Sequence, residues 1–109
     1  MSATPKEFKE IETFLAIART VEAFATCQTV YELFGITDQN APFASIEVRI
    51  DEFVEKYQAF AHNKKYKDFV VKLKENIDKI KRVLSDDDRD EYNNYLMDNN
   101  PIIQTSLFF

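Results

Sequence analysis

The sequence predicts an all-α fold, in which two longer helices form an antiparallel hairpin that is flanked by short helices and preceded by an added amphipathic helix. The 109 residues include one glycine and three prolines, and this scarcity of chain breakers favours long helices joined by short turns. Apolar residues recur at three- and four-residue steps, as on the buried face of a helix. Ten phenylalanines and five tyrosines suffice for the core of a single domain.

The first predicted helix spans residues 5–26. Thr4, Pro5 and Glu7 form a typical helix start: a capping threonine, a proline at the first helical position and an acidic residue at the third. The apolar stripe that follows comprises Phe8, Ile11, Leu15, Ala18, Val21 and Ala25. We therefore expect residues 1–28 to form an amphipathic segment packed on the body of the protein.

The body of the protein is predicted to span residues 29–98 and to begin with a short helix. Thr29 and Glu32 have the spacing of a capping box, and Gly35 ends the helix. A loop over residues 37–41 follows.

The predicted hairpin comes next, with its first helix starting at Pro42 or Ser45. A turn at residues 62–65 leads to a second helix over residues 66–84, and the two apolar stripes suit an antiparallel pair. The stripe of the first helix comprises Ile46, Ile50, Phe53, Tyr57 and Phe60. The stripe of the second comprises Tyr66, Phe69, Val70, Leu73, Ile77, Ile80 and Leu84.

A last short helix and an apolar tail complete the chain. Ser85 is the predicted cap, and the acidic residues 86–88 suit the positive end of the helix dipole. The residues predicted to face inward are Tyr92, Tyr95 and Leu96. Residues 99–101 (NNP) stop the helix, and residues 99–109 form an uncharged apolar tail that we expect to dock on this domain or on a partner through Leu107, Phe108 and Phe109.

Two features of the body resemble a J-domain, the module of DnaJ-type co-chaperones. Residues 31–36 (YELFGI) are similar to the "YelLGv" opening of that family. Ile50 lies twelve residues before His62, which is the spacing in J-domains between the "I-x-x-A-Y" of the second helix and the histidine of the active loop.

A third segment is similar to the "vLsD…R…YD" close of a J-domain. It comprises residues 83–86 (VLSD) followed by Arg89, Tyr92 and Leu96. The resemblance covers residues 29–97 and implies a J-domain-like hairpin, with the N-terminal helix as an addition to a minimal J-domain.

The chain departs from the family at the active loop, where His62, Asn63 and Lys64 stand in place of His-Pro-Asp. The resemblance implies that this loop and a basic second helix would engage a DnaK-type ATPase. Asn63 replaces a proline that restricts φ. Lys64 puts a positive charge where the family has an acid, which turns attraction into repulsion at a charge-complementary contact.

The second helix departs as well, because residues 42–61 carry a net charge of −2 where a J-domain is basic. Arg49 and Lys56 face the four acids Glu47, Asp51, Glu52 and Glu55. We therefore expect a non-catalytic J-like protein that does not stimulate a DnaK-type ATPase. Degenerate relatives of this kind act as regulators that pair with an active J-protein or as structural subunits of large assemblies.

Two other functions remain open. One is a divergent but active J-domain co-chaperone whose partner has a contact surface of reversed charge. The other is an electrostatic RNA or ribonucleoprotein binder: residues 64–82 carry a net +5 within a chain of net −5, so the remainder carries −10. The lysines expected on the outward face of that helix are Lys67, Lys72, Lys74, Lys79 and Lys81. A solvated face is the simpler interpretation of that pattern.

No residue pattern in the sequence indicates an enzyme, a cofactor, a metal site or a small-molecule substrate. His62 is a lone imidazole in a polar turn. Cys27 has no basic neighbour in sequence to lower its pKa and is predicted to be an inert, partly buried thiol. The acidic run at residues 86–88 is more typical of a helix cap than of a cation site. One glycine excludes a glycine-rich phosphate loop.

The sequence also predicts an intracellular protein without a transmembrane segment. A single cysteine fits a reducing compartment. Glu7, Glu10 and Glu12 are unlike a signal peptide or a transit sequence, and no stretch has the roughly 18 apolar residues needed to span a bilayer. Cytoplasmic and mitochondrial locations are not distinguished.

Overall fold

The computed structural model describes residues 4–99, and within them the chain forms five α-helices, one short 3-10 helix and no strand. In chain order the helices are α1 Pro5–Ala18, α2 Val30–Phe34, α3 Phe43–Gln58, α4 Lys67–Val83 and α5 Arg89–Asn99, with the 3-10 helix Glu22–Phe24 between α1 and α2. The predicted all-α class is confirmed for this part of the chain. The apolar tail, from residue 100 onward, lies outside the described residues.

Helix α1 begins as its sequence predicts. The Thr4 hydroxyl accepts from the Glu7 backbone N–H at 3.4 Å, and a Glu7 carboxylate oxygen accepts from the Thr4 N–H at 3.2 Å, which completes a capping box. The residues that α1 buries are Phe8, Ile11, Phe14, Leu15 and Ala18.

The prediction that this helix continues to residue 26 is wrong, because α1 ends at Ala18. The Arg19 guanidinium donates to the Cys27 carbonyl at 2.9 Å and ties the segment after α1 into a compact turn. Val21 and Phe24 are nevertheless buried. A three-residue spacing suits a 3-10 turn as well as an α-helix, so the apolar pattern does not show the break.

Helix α2 is short and has defined caps at both ends. The Thr29 hydroxyl accepts from the Glu32 N–H at 3.2 Å, while the Glu32 carboxylate accepts from Gln28 rather than from the predicted Thr29. Gly35 ends the helix with a left-handed φ of 72°, a conformation that glycine adopts without steric cost. Ile36 then donates to the Tyr31 carbonyl at 2.8 Å.

Helices α3 and α4 form an antiparallel hairpin. Glu47 in the first half of α3 and Asp51 at its middle both contact Lys81 near the end of α4. Near the turn, the rings of Tyr57 and Tyr66 lie 5.8 Å apart. Contacts at both ends in this register define the antiparallel direction. We call the end of the hairpin that carries Asp51 and Lys81 the base, and residues 56–67 the tip.

Helix α1 lies along α4, also in the antiparallel direction. Glu7 and Glu10 at the start of α1 form ion pairs with Arg82 and Lys79 at the end of α4. Further along, the rings of Phe14 and Phe69 stack with centroids 5.8 Å apart. Helix α1 thus contacts the apolar face of α4 and also two of its basic residues, Lys79 and Arg82.

The predicted capping role of Ser85 is wrong. Its hydroxyl donates to the Arg82 carbonyl at 2.8 Å and so closes the end of α4, while α5 begins only at Arg89. Asp86 instead accepts from the backbone N–H of Phe43 at 3.0 Å. Because Pro42 has no side chain that could cap α3, this carboxylate from a distant part of the chain caps that helix.

The core joins all the helices, and Phe60 is the member of the predicted α3 stripe that does not belong to it. The side chain of Phe60 is 37% exposed, because α3 ends at Gln58 and the chain has already begun to turn. Tyr92 and Leu96 of α5 are buried as predicted, and Tyr95 is half-buried.

Candidate functional site

The tripeptide His62, Asn63 and Lys64 lies at the tip, and all three side chains are exposed. The Asn63 side-chain oxygen accepts from the Lys65 N–H at 2.9 Å, and its carbonyl accepts from the N–H groups of Tyr66 and Lys67 at 3.0 and 2.8 Å. Asn63 therefore orders this turn by hydrogen bonds.

The acids of α3 fall into two groups. Glu47 and Asp51 both contact Lys81, with N–O distances of 3.6 and 2.7 Å. They therefore hold α3 against α4 at the base. Glu52 lies 3.9 Å from Arg49 of its own helix in an exposed pair, and Glu55 is exposed and forms no ion pair within the described residues. Within the described residues, the second pair of acids forms no ion pair with α4.

The ion pairs at the base shift the pKa values of two side chains, Lys81 and Glu10. The pKa of Lys81 is raised above its usual value, chiefly by the hydrogen bond to Asp51, and the nearby charges of Asp51 and Glu47 add to the effect. The pKa of the Glu10 carboxyl is lowered, chiefly by the hydrogen bond that it accepts from Lys79 at 2.7 Å. Lys81 therefore remains positively charged across the neutral range.

The five lysines expected on one outward face of α4 do not form one. The side chains of Lys79 and Lys81 are only 22% and 27% exposed, and they bind acids of α1 and α3 respectively. Lys72 pairs with Glu75 on its own helix at 3.2 Å. Lys67 and Lys74 are exposed and form no ion pair within residues 4–99. The prediction used the seven-residue spacing of these lysines along α4. That spacing carries no information about the helices that pack on either side of α4, so the prediction was wrong.

Cys27 is half-buried at the edge of an open cleft of about 400 Å³. Burial raises the pKa of its thiol, and the charge of Glu32 adds to this, while Arg19 opposes it. The predicted partial burial of this side chain is confirmed.

The acidic run at residues 86–88 has structural contacts. Asp86 caps α3 and also accepts from the Arg89 guanidinium at 3.1 Å, and Asp88 is buried. Within the described residues, no group of three or more His, Cys, Asp or Glu side chains is arranged to hold a metal ion.

The structure adds two residues that the sequence interpretation missed, Phe60 as an exposed ring at the tip and Asp86 as the cap of α3. Phe60 lies beside the rings of Tyr57 and Tyr66, with centroids 5.7 and 5.1 Å away. Its position as the last aromatic residue before the predicted turn was the available signal. Asp86 is 43 positions from its partner, so no local pattern could indicate its role. The predicted contacts Leu107, Phe108 and Phe109 lie outside the described residues.

Comparison with known proteins gives no assignment: no family model, curated protein or solved structure matches this chain. Over residues 4–99, none of the helices is both long enough and apolar enough to cross a membrane.

Proposed function

We propose that this chain is a non-catalytic J-like protein, a regulatory or structural interaction subunit of a larger assembly that does not stimulate a DnaK-type ATPase. The observation that carries the proposal is the exposed loop between two antiparallel helices, where Asn63 and Lys64 occupy the places of the family's proline and aspartate. A lysine at that position would repel a basic partner site, at a cost of several kcal/mol in a tight interface.

The segments that carry the family resemblance also contact one another, which supports the J-like interpretation. Tyr31 from the opening segment and Tyr92 from the closing segment have ring centroids 6.2 Å apart, and the Tyr31 hydroxyl donates to Asn93 at 2.6 Å.

An RNA-binding function is less well supported. Lys79 and Lys81 are bound to acids of the chain itself, and only Lys67 and Lys74 of the five predicted lysines are free of ion pairs within the described residues. Two separated lysines on α4 give a weak track for a phosphate backbone.

A single-turnover ATPase assay with a DnaK-type chaperone tests the absence of stimulation. We expect the native chain to leave the hydrolysis rate at its basal value, while an active J-protein in a parallel reaction raises it. Stimulation by the native chain that is lost on His62→Gln would contradict the proposal and establish the divergent co-chaperone.

A gain-of-function variant tests the J-like scaffold separately. It combines Asn63→Pro and Lys64→Asp with Glu52→Lys and Glu55→Lys, which alter the exposed acids of α3 and leave the Glu47 and Asp51 contacts to Lys81 intact. We expect this variant to raise the ATPase rate severalfold and to lose the effect on His62→Gln. A folded variant without any stimulation would argue against the scaffold.

A further inference from the structure

The tip differs in charge from the rest of the molecule. Residues 56–67 (KYQAFAHNKKYK) contain four lysines, one histidine and no acid. Because the whole chain has a net charge of −5, the tip carries +4 and the remainder −9. A compact positive surface thus stands at one end of an acidic protein, where it attracts anionic groups at short range.

Most of the tip's positive charge is not used within the molecule. Lys65 lies 3.8 Å from Glu22, in a pair whose side chains are both more than two-thirds exposed. Lys56, Lys64 and Lys67 form no ion pair within the described residues. Lys56 in addition lies over the Tyr57 ring, with its ammonium nitrogen 5.3 Å from the ring centroid. An ammonium group that has no acidic partner keeps its full charge for a ligand.

The tip also presents an apolar anchor. Phe60 is 37% exposed, and its ring is braced by Tyr57 and Tyr66, which themselves lie 5.8 Å apart. The backbone beneath is ordered by a bond from Asn63 N–H to the Phe60 carbonyl at 2.9 Å and by the hydrogen bonds to Asn63. A ring held in this way loses little conformational entropy when a partner covers it.

We propose that the tip is a docking surface for an acidic peptide segment of a partner protein, with an apolar side chain of that segment packed on Phe60. The inference deepens the proposed function, and it rests on that function for the expectation that the partner is a protein. Aromatic residues are enriched at the centre of protein interfaces, whereas charged groups such as lysines lie mostly at the polar rim.

The charge distribution favours a short acidic peptide over a long polyanion. Electrostatic attraction is screened beyond about 8 Å at physiological ionic strength, while the described part of the chain is 38 Å long. Residues 68–82 of α4 are also net positive, but the chain outside the tip carries −9 in total, so a long polyanion gains less from the molecule than a peptide short enough to remain on the tip. A single exposed ring also provides no series of stacking platforms for successive bases.

The experiment is an NMR titration of the isotope-labelled full chain with a synthetic peptide of glutamate and aspartate residues around one leucine and one phenylalanine. We expect amide shifts at residues 56–67, with an affinity that falls about tenfold between about 50 and about 300 mM salt. Shifts centred on another part of the chain, or none at peptide concentrations in the millimolar range, would overturn the inference.

Two pairs of variants make the test specific. Replacing Lys56, Lys64 and Lys67 together by Gln is expected to weaken binding about tenfold. The matched control replaces Lys6, Lys9 and Lys74, which are equally exposed and change the net charge by the same amount. Phe60→Ser is expected to weaken binding about fivefold. Its control is Val48→Ser, at a side chain that is 54% exposed on α3. Equal losses in a variant and its control would overturn the inference.

Two further probes distinguish the source of the anionic group. A polyuridine RNA and vesicles that contain phosphatidylserine are titrated in the same way, and tighter binding of either at the tip would replace the peptide inference. The result of the peptide titration is independent of the test of the proposed function. ATPase stimulation by the native chain would contradict the proposed function even if the tip bound the peptide.

Discussion

The two ends of the α3–α4 hairpin use the same kinds of residue in different ways. At the base, Lys79 and Lys81 each lie 2.7 Å from a carboxylate oxygen of another helix. At the tip, Lys64 and Lys67 are exposed and have no such partner within the described residues. The base lysines therefore hold helices together, whereas those at the tip are available to another molecule.

Aromatic residues show the same contrast. Phe69 of α4 is 1% exposed and its ring contacts those of Phe14, Phe24 and Phe53 from three other segments. Among the residues that the structure describes, Phe60 contacts two rings, both in its own hairpin. Exposure thus distinguishes a side chain that joins helices from one that remains open for binding.

The largest expected effect is on stability, at the buried residue Phe69. Phe69→Ala removes a ring from the centre of the core, and we expect it to lower the free energy of unfolding by about 3–5 kcal/mol. Urea denaturation monitored by circular dichroism measures the loss. Since single domains are stable by about 5–15 kcal/mol, much of the variant is expected to be unfolded at elevated temperature.

Phe60→Ala is the matched comparison at the tip. The ring is already partly hydrated, so its removal is expected to lower the free energy of unfolding by no more than about 1 kcal/mol. A loss close to that of Phe69→Ala would show that Phe60 is part of the core after all and would remove it from the proposed docking surface.

Local patterns in the sequence predicted most of the helices and their order, because caps and apolar spacing are local signals. The start of α1 at Thr4 and the left-handed Gly35 follow directly from residue type. The end of α1 was not predicted, and a bond from Arg19 to Cys27 holds the segment that follows it. The start of α3 at Pro42 was one of the two predicted positions, but the carboxylate that caps this helix, Asp86, comes from a distant part of the chain.

The candidate site was less accessible to prediction, because sequence gives position along a helix but not the neighbours of that helix. The periodic spacing of Lys67, Lys74 and Lys81 treats them as equivalent, although α3 supplies acids to the last of them only. The exposure of Phe60 likewise depends on where α3 ends.

High pH tests the buried core, which contains Tyr31 and Tyr92, two buried tyrosines with raised pKa values. Burial is the main cause at both Tyr31 and Tyr92. In the unfolded chain a tyrosine ionises near pH 10, so the stability due to each phenol is complete below that pH and is lost above it. We expect a fall of about 1.4 kcal/mol per pH unit per tyrosine, measured by urea unfolding at increasing pH.

Tyr92→Phe separates ionisation from packing. The Tyr92 hydroxyl is buried and has no hydrogen-bond partner among the described residues, so its removal is expected to leave the stability at neutral pH nearly unchanged and to flatten the alkaline fall. Tyr31→Phe differs, because it removes a hydrogen bond to Asn93 and is expected to cost about 1 kcal/mol at neutral pH. An unchanged alkaline fall in Tyr92→Phe would contradict the assignment.

The smallest expected effects on stability are those of replacing one lysine at the base and one at the tip. Lys81→Met removes the contacts with Asp51 and Glu47, and we expect it to lower the free energy of unfolding by about 0.5–1 kcal/mol, since the pair is partly exposed and screened by solvent. Lys64→Met, at the tip, is expected to change it by no more than about 0.3 kcal/mol. The difference between the variants should shrink with added salt, because screening weakens only the contacts at the base. Equal losses in the two variants would mean that Lys64 also holds the fold together, and the functional distinction between the two ends of the hairpin would fail.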